Sequence, residues 1–384
     1  MHVLATWELG RGYGHLGILA RVSQALRAAG HRVTFAARYP ETVAATCAGD
    51  FDALAAAPRF AGPVARAETL TYAQVIADGG FAASGALRPL AAQWRALFDD
   101  VQPDAVLAEH APASLLAARI AGLPAWRIGS SFIAPGVHDI AASLLPWRPV
   151  PDDVLARQAG SADGAIRQVS GGTVESLADL LAGAPRFATT WPELDHFAAP
   201  VPEVAFRGDL GGLQGASAAV DWPEGKGARV LVYMPPSAGP GPALRAALQR
   251  LGWPVLWHWP GAAGQEAEGR LRFCPEPIDL SRQAGEARIF VGRAGHGASA
   301  LMLRAGLPQL LVPDTLEALL LSYRLRQAGL ALTRPSDATT EEFVRALEQL
   351  AAGLCDDRLR QVSCKYLEYD PDHSARTIAT DIAG

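Results

Sequence analysis

The sequence predicts an α/β protein with two tandem parallel-sheet domains facing each other across a cleft. Three observations carry this. The chain opens as strand, glycine-rich loop, helix and strand. The same rhythm restarts after a stretch rich in Pro, Gly, Ala and Asp at residues 192–227, and 384 residues exceed one ordinary core.

Residues 2–6 form a short apolar run suited to a buried parallel strand. Apolar residues at helical spacing (Leu19, Val22, Leu26) predict a helix over 16–29, stopped by Gly30. The run RVTFAA, 32–37, is β-branched and aromatic and reads as the next strand. A helix over 86–99, a strand over 105–108, a helix over 111–121 and a strand over 125–129 continue the pattern. Residues 136–182 are less regular, with helical stretches, and 187–190 read as the last strand of the first half. The domain junction is placed near 211–218. In the second half, strands are expected over 229–234, 254–259, 271–274, 289–291 and 309–312. Helices are expected over 242–251, 298–305, 316–328 and 340–352, the last opened by the capping-type run TTEE. Residues 358–382 read as helical with a break at Asp370-Pro371. The domains are therefore set at 1–212 and 213–368, with a helix at 369–384 after them.

A net charge of −5 argues against a nucleic-acid partner. Hydrophobic residues make up 49% and charged residues 19%, ample for two cores. The four cysteines show no CxxC pair or ligand spacing, so no metal site is expected and the thiols are read as reduced, in a cytoplasm. No basic leader with an apolar stretch and no run of about 18 apolar residues is present, so neither a signal peptide nor a membrane span is expected.

In such sheets ligands sit at the carboxyl ends of strands, where glycine loops meet helix N-termini. ELGRGYGHLG occupies that place in the first half. Its glycines, Gly12 and Gly14 among them, let an acceptor approach the backbone, and His15 can take a proton from a hydroxyl. A base needs an orienting partner. Glu109 ends a strand of the same sheet, with His110 beside it as a second candidate. Position 38, just past the second strand, is arginine, so the acidic mark of a dinucleotide fold is missing. FVGRAGHGAS in the second half makes an anion site. Arg293 offers a fork to a diphosphate, and the amides of Gly295, His296, Gly297 and Ala298 supply the rest. Of the tryptophans, only Trp147, in the proline-flanked run LLPWRP, is assigned to an acceptor wall; Trp94, Trp126, Trp257 and Trp259 are left to the core or to stacking.

GYGHLGILARVSQALRAAGHRVTF and GRAGHGASALMLRAGLPQLLVPDTLEALLLSYRLRQAGLAL together resemble the GT-B-type glycosyltransferases, in particular the UDP-glycosyltransferase-like family whose bacterial members decorate natural products and lipids. The resemblance covers nearly the whole chain. It implies two Rossmann-like domains facing across a cleft, with the helix at 369–384 crossing back to the first, His15 as catalytic base and Glu109 as its orienting acid. It puts Arg293 where the family often has a histidine, and Glu317 at the acid that reads donor sugar hydroxyls. Ser237 would add a phosphate contact, and residues 273–278, Cys274 included, would lie against the nucleobase. Leu301 and Ala318 depart from the family's ribose-binding glutamate and sugar-binding amide. The resemblance implies an inverting, metal-independent transfer of a sugar from a nucleotide diphosphate donor, uridine- or thymidine-linked, to a small-molecule or lipid acceptor. The donor is a co-substrate and no cofactor is expected. A homo-oligomer is compatible with the sequence. The rival expectations are a catalytically inactive nucleotide-sugar-binding relative and a nucleotide-sugar epimerase.

Overall fold

The computed structural model describes the chain except residues 11, 63–67, 198–205, 213–219, 235–240, 260–266 and 277. Much of the expected junction, most of the loop after residue 234 with Ser237 in it, and one position of 273–278 therefore lie outside the described residues. The chain forms two compact units, residues 1–213 with 370–384, and residues 214–369.

Unit 1 runs β1 (His2–Trp7), α1 (Tyr13–Ala28), β2 (Arg32–Ala37), α2 (Pro40–Thr46), β3 (Ala53–Ala56), α3 (Tyr72–Ile76), α4 (Ser84–Val101), β4 (Ala105–Glu109), α5 (Pro112–Ala121) and β5 (Ala125–Gly129). Three short helices follow, α6 (Asp152–Ala159), α7 (Asp163–Ser170) and α8 (Leu177–Ala182), then β6 (Arg186–Ala188). Its six strands lie parallel in the order β3-β2-β1-β4-β5-β6. Every residue of β1 is buried, as a central parallel strand covered on both faces requires. One face packs on α4 and α5 through Trp94, Phe98, Leu115 and Leu116; the other packs on α1 through Leu16, Leu19, Val22 and Leu26.

Unit 2 runs β7 (Val230–Tyr233), α9 (Gly241–Leu251), β8 (Val255–His258), β9 (Ala267–Glu268), β10 (Leu271–Cys274), α10 (Leu280–Glu286), β11 (Ile289–Gly292), α11 (His296–Arg304), β12 (Gln309–Leu311), α12 (Leu316–Gln327), β13 (Ala331–Thr333), α13 (Thr340–Ala351) and α14 (Asp356–Ser363). The strand order is β13-β12-β11-β7-β8-β10-β9, parallel except for β9. The capping box read from TTEE is present on α13. The Thr339 hydroxyl accepts from the Glu342 amide, and the Glu342 carboxylate accepts from the Thr339 amide. Thr339→Ala should cost about 1 kcal/mol, seen as a lower denaturation midpoint with unchanged slope.

The last helix, α15 (Pro371–Ala383), belongs to unit 1. Asp370 caps it, with Pro371 in the first turn where its missing N–H costs nothing. Ala375, Ile378, Ala379 and Ile382 are buried in the core cluster of α1, and Arg21 pairs with Asp372. The two isoleucines alone contribute about 3–6 kcal/mol by burial.

Some elements differ from expectation. The helix expected from residue 16 begins at Tyr13, which takes Gly14 and His15 into its first turn. The helix expected from 298 begins at His296, so Gly297 and Ala298 also sit in a first turn. The strand expected over 187–190 is Arg186–Ala188. Among the described residues no helix is long and apolar enough to cross a membrane. Cys47, Cys274 and Cys355 are buried, Cys364 is exposed, and all four are free thiols.

Candidate active site

The strand order of each unit reverses at one place. In unit 1 the chain moves outward from β1 to β2 and β3, then returns to β4 on β1's other side. The crevice between the ends of β1 and β4 is therefore the topological switch point, where open α/β sheets bind ligands. In unit 2 the reversal lies between β7 and β11. Only three non-glycine residues among those described have a positive φ. Two of them, His110 (46°) and Ala294 (58°), come just after β4 and β11. Such strained residues cluster at functional sites.

In unit 1, Trp7 of β1 and Glu109 of β4 are register partners, so their chains leave the sheet together. Leu9 N–H donates to the His110 carbonyl at 3.0 Å and ties the two loops. His15, third residue of α1, turns back onto the crevice. Its Nδ1 lies 2.8 Å from both oxygens of Glu109. Its ring stacks on Trp7 at 5.1 Å, and His110 stacks beyond at 6.3 Å. Glu109 is fully buried and His15 is 9% exposed. A carboxylate only accepts, so Nδ1 carries the proton and Nε2 the lone pair.

Gly10 answers why glycine stands here. Its φ is +84°, and a Cβ would lie 2.6 Å from His15 Nε2. Gly12 caps α1 with a φ of +112°, whereas Gly14 has open space and no special conformation. Of the three, Gly10 is thus the one that leaves room at the basic nitrogen.

His110, the second candidate for orienting His15, does not bond to it. Both its ring nitrogens are buried and without a hydrogen-bond partner. Burial, and then the neighbouring His15 and Arg38, push its pKa down to about 3, so it is neutral. Trp147 lies in the loop before α6, 41% exposed.

In unit 2, Gly295 is the N-cap of α11, and the amides of His296, Gly297 and Ala298 are the helix's first, which have no partner within it. Burial pushes the partly exposed His296 down to about 4, leaving an uncharged ring at this helix start. Arg293 forms an ion pair with Asp314, while its Nε is buried and unbonded. Sequence reading missed Asp314, though VPD after a strand marks a strand-end acid. Glu317 lies half-buried in the first turn of α12, which Thr315 caps by accepting from the Ala318 amide. Cys274 ends β10 with its side chain buried, and its carbonyl accepts from the Trp259 amide at 2.8 Å. Beside it a hollow of about 330 Å³ is walled by Trp257, Trp259, Phe273 and Arg245. Among the described residues no group of three His, Cys, Asp or Glu is arranged to hold a metal ion.

Comparison with solved structures identifies the architecture as the GT-B fold of bacterial natural-product glycosyltransferases. The glycosyltransferase VinC in complex with dTDP matches over 100% of this chain and 99% of its own, at 20% identity and a TM-score of 0.70. The calicheamicin glycosyltransferase CalG4 matches over 100% and 98%, at 17% identity and 0.71. The spinosyn rhamnosyltransferase SpnG complexed with thymidine diphosphate matches over 98% and 100%, at 19% identity and 0.68. Identity this low carries the fold along its whole length and no more. No protein-family model and no curated protein matches the sequence.

Proposed function

We propose that the chain is an inverting, metal-independent glycosyltransferase of the cytoplasm. It moves a sugar from a uridine or thymidine diphosphate donor to a hydroxyl of a small-molecule or lipid acceptor. The observation that carries this reading is the buried His15–Glu109 pair at the switch point of unit 1. The shared fold supports it, since VinC and SpnG were solved with dTDP or thymidine diphosphate.

Glu109 holds the Nδ1 proton and leaves Nε2 to accept the hydroxyl proton. The acceptor oxygen then bonds to the anomeric carbon as the bond to the diphosphate oxygen breaks, which inverts the configuration. Glu109 stabilises the imidazolium that forms. Unit 2 supplies the diphosphate site. The first amides of α11 point at the anion, and Arg293 adds positive charge where negative charge grows. A guanidinium has five N–H donors, so the pair with Asp314 fixes Arg293 without using it up. Trp147, Gly10 and Gly12 would line the acceptor's approach.

Calorimetric titration with dTDP, UDP and GDP tests the reading. One nucleotide should bind in the micromolar range, and Arg293→Ala should weaken it about 10- to 100-fold, the loss of a charge-assisted contact. Absence of binding by all three would overturn the donor assignment.

A further inference from the structure

Glu8 is a buried ionisable side chain of the first loop that the mechanism leaves unused. It follows β1 directly and is fully buried. Its Oε2 accepts the Ala113 amide, in the first turn of α5, at 2.9 Å. Its Oε1 is buried and unbonded, and so is the nearby Trp94 indole N–H on α4. Its own carbonyl accepts from Arg38 at the end of β2. Leu9, next in sequence, donates to the His110 carbonyl.

Two bonds thus run from one short stretch, Glu8-Leu9, to the β4–α5 connection, one to the His110 carbonyl and one from the Ala113 amide in the first turn of α5. That connection leaves β4 at Glu109, its last residue, and holds the strained His110. Gly10, against the basic nitrogen, is the next residue along. A buried carboxyl without an ion pair is costly to keep, and a hydrophobic residue would pack there more cheaply. The link between the two catalytic loops is what the carboxyl adds.

We propose that Glu8 is a positioning residue for the His15–Glu109 pair, locking the connection that follows Glu109 against the loop that carries Gly10. The proposal rests on the reading of His15 as the base. The carboxyl does this in its neutral form. Burial raises its pKa to about 8, against the pull of the Ala113 and Ser114 amides and of Arg38. Arg38 is the charge that acts on it. The end of β4 and the connection after it contribute Glu109 and His110, α1 contributes His15, and the contacts from α4 and α5 are Trp94 and backbone amides. Ionising Glu8 strengthens its bond to the Ala113 amide but leaves a charge in this interior with no ion-pair partner, and water drawn to that charge shifts the loop against the connection. Turnover should then fall as pH rises through about 8. A histidine base alone gives the opposite limb, losing activity toward acid.

Stability shows the same group with a definite sign. The unfolded chain releases this proton near the ordinary 4.5, the folded one near 8. Between those values the fold holds the extra proton, so Glu8 makes stability fall as pH rises. Glu8→Gln, which keeps both an acceptor for Ala113 and a donor, should raise the melting temperature at pH 8 and by much less at pH 5.

The test follows conversion of dTDP-glucose to dTDP, with water as acceptor, from about pH 6 to 9.5. Glu8→Ala should lower kcat about tenfold while KM for dTDP-glucose stays put, the mark of misplaced rather than missing groups. Glu8→Gln should recover most of that loss and lack the fall near pH 8. A Gln profile that superimposes on the parent's overturns the proposal, and this comparison decides even where the Ala variant fails to fold. An Ala variant as active as the parent also overturns it. A parent that turns over neither dTDP-glucose nor UDP-glucose and binds none of dTDP, UDP and GDP overturns the glycosyl-transfer reading and this role with it. The pH-dependent melting difference would then remain as the separate sign of a neutral buried carboxyl.

Discussion

His15→Asn and Glu109→Ala should each lower turnover about 10³-fold, and the double variant should be little worse than the poorer single one. General-base catalysis with its orienting group contributes on that scale. The two side chains act as one unit. Glu109 fixes the proton on Nδ1, an atom 2.8 Å from both carboxylate oxygens, and its removal takes that anchor away. Without His15 there is nothing for Glu109 to orient, so the losses do not add. Asparagine is the better probe at 15 because its amide nitrogen takes the place of Nδ1. It keeps a donor to a fully buried carboxylate that would otherwise be stranded at a cost of several kcal/mol. Nucleotide titration should be unchanged in all three variants, since the proposed diphosphate site belongs to unit 2. Full activity in His15→Asn would end the general-base assignment.

The second large effect is expected at Gly10. Gly10→Ala puts a methyl carbon 2.6 Å from His15 Nε2 and 2.8 Å from Cε1, on a backbone with φ +84°. The ring must rotate away, and it cannot do so without leaving Glu109 or Trp7. A displacement of about 1 Å at a reacting group costs about 10²-fold. Gly14→Ala is the control. It meets nothing within 4 Å, and alanine suits the first turn of a helix, so turnover should stay within about twofold. Equal losses at both positions would mean that chain flexibility in the loop, rather than room beside Nε2, is what the glycines supply.

The contrast between these glycines marks how far the sequence could be read. Alternating glycines before a histidine announce a loop that something must approach, but one-dimensional spacing does not say which glycine faces the ring. Gly10, which does, was not singled out. His15 and Glu109 were legible as separate strand-end residues because the βαβ rhythm places both on the same sheet edge. That they touch depends on α1 starting at Tyr13, three residues before the apolar periodicity begins. Glycine and tyrosine give no hydrophobic period, and the helix start was missed for that reason. β3 was invisible because ALAA has poor strand propensity and holds its place by pairing with β2. β13, three residues long, left too little pattern to register. Arg293 was legible as a cation at a strand end. Its partner Asp314 was not, because the pairing joins residues 293 and 314 on two separate loops, in a fold whose turns had yet to be placed.

The seat of α15 on α1 also governs how the chain is made. The apolar stripe of Leu19, Val22 and Leu26 leaves the ribosome early, yet Ile378 and Ile382, which share its cluster, arrive only after residues 214–369 have been synthesised. At about 5–20 residues per second that interval lasts roughly 10–30 s. Throughout it the first unit presents an incomplete surface to the cell, and a ribosome stalled anywhere in the second half leaves behind a product suited to chaperone capture.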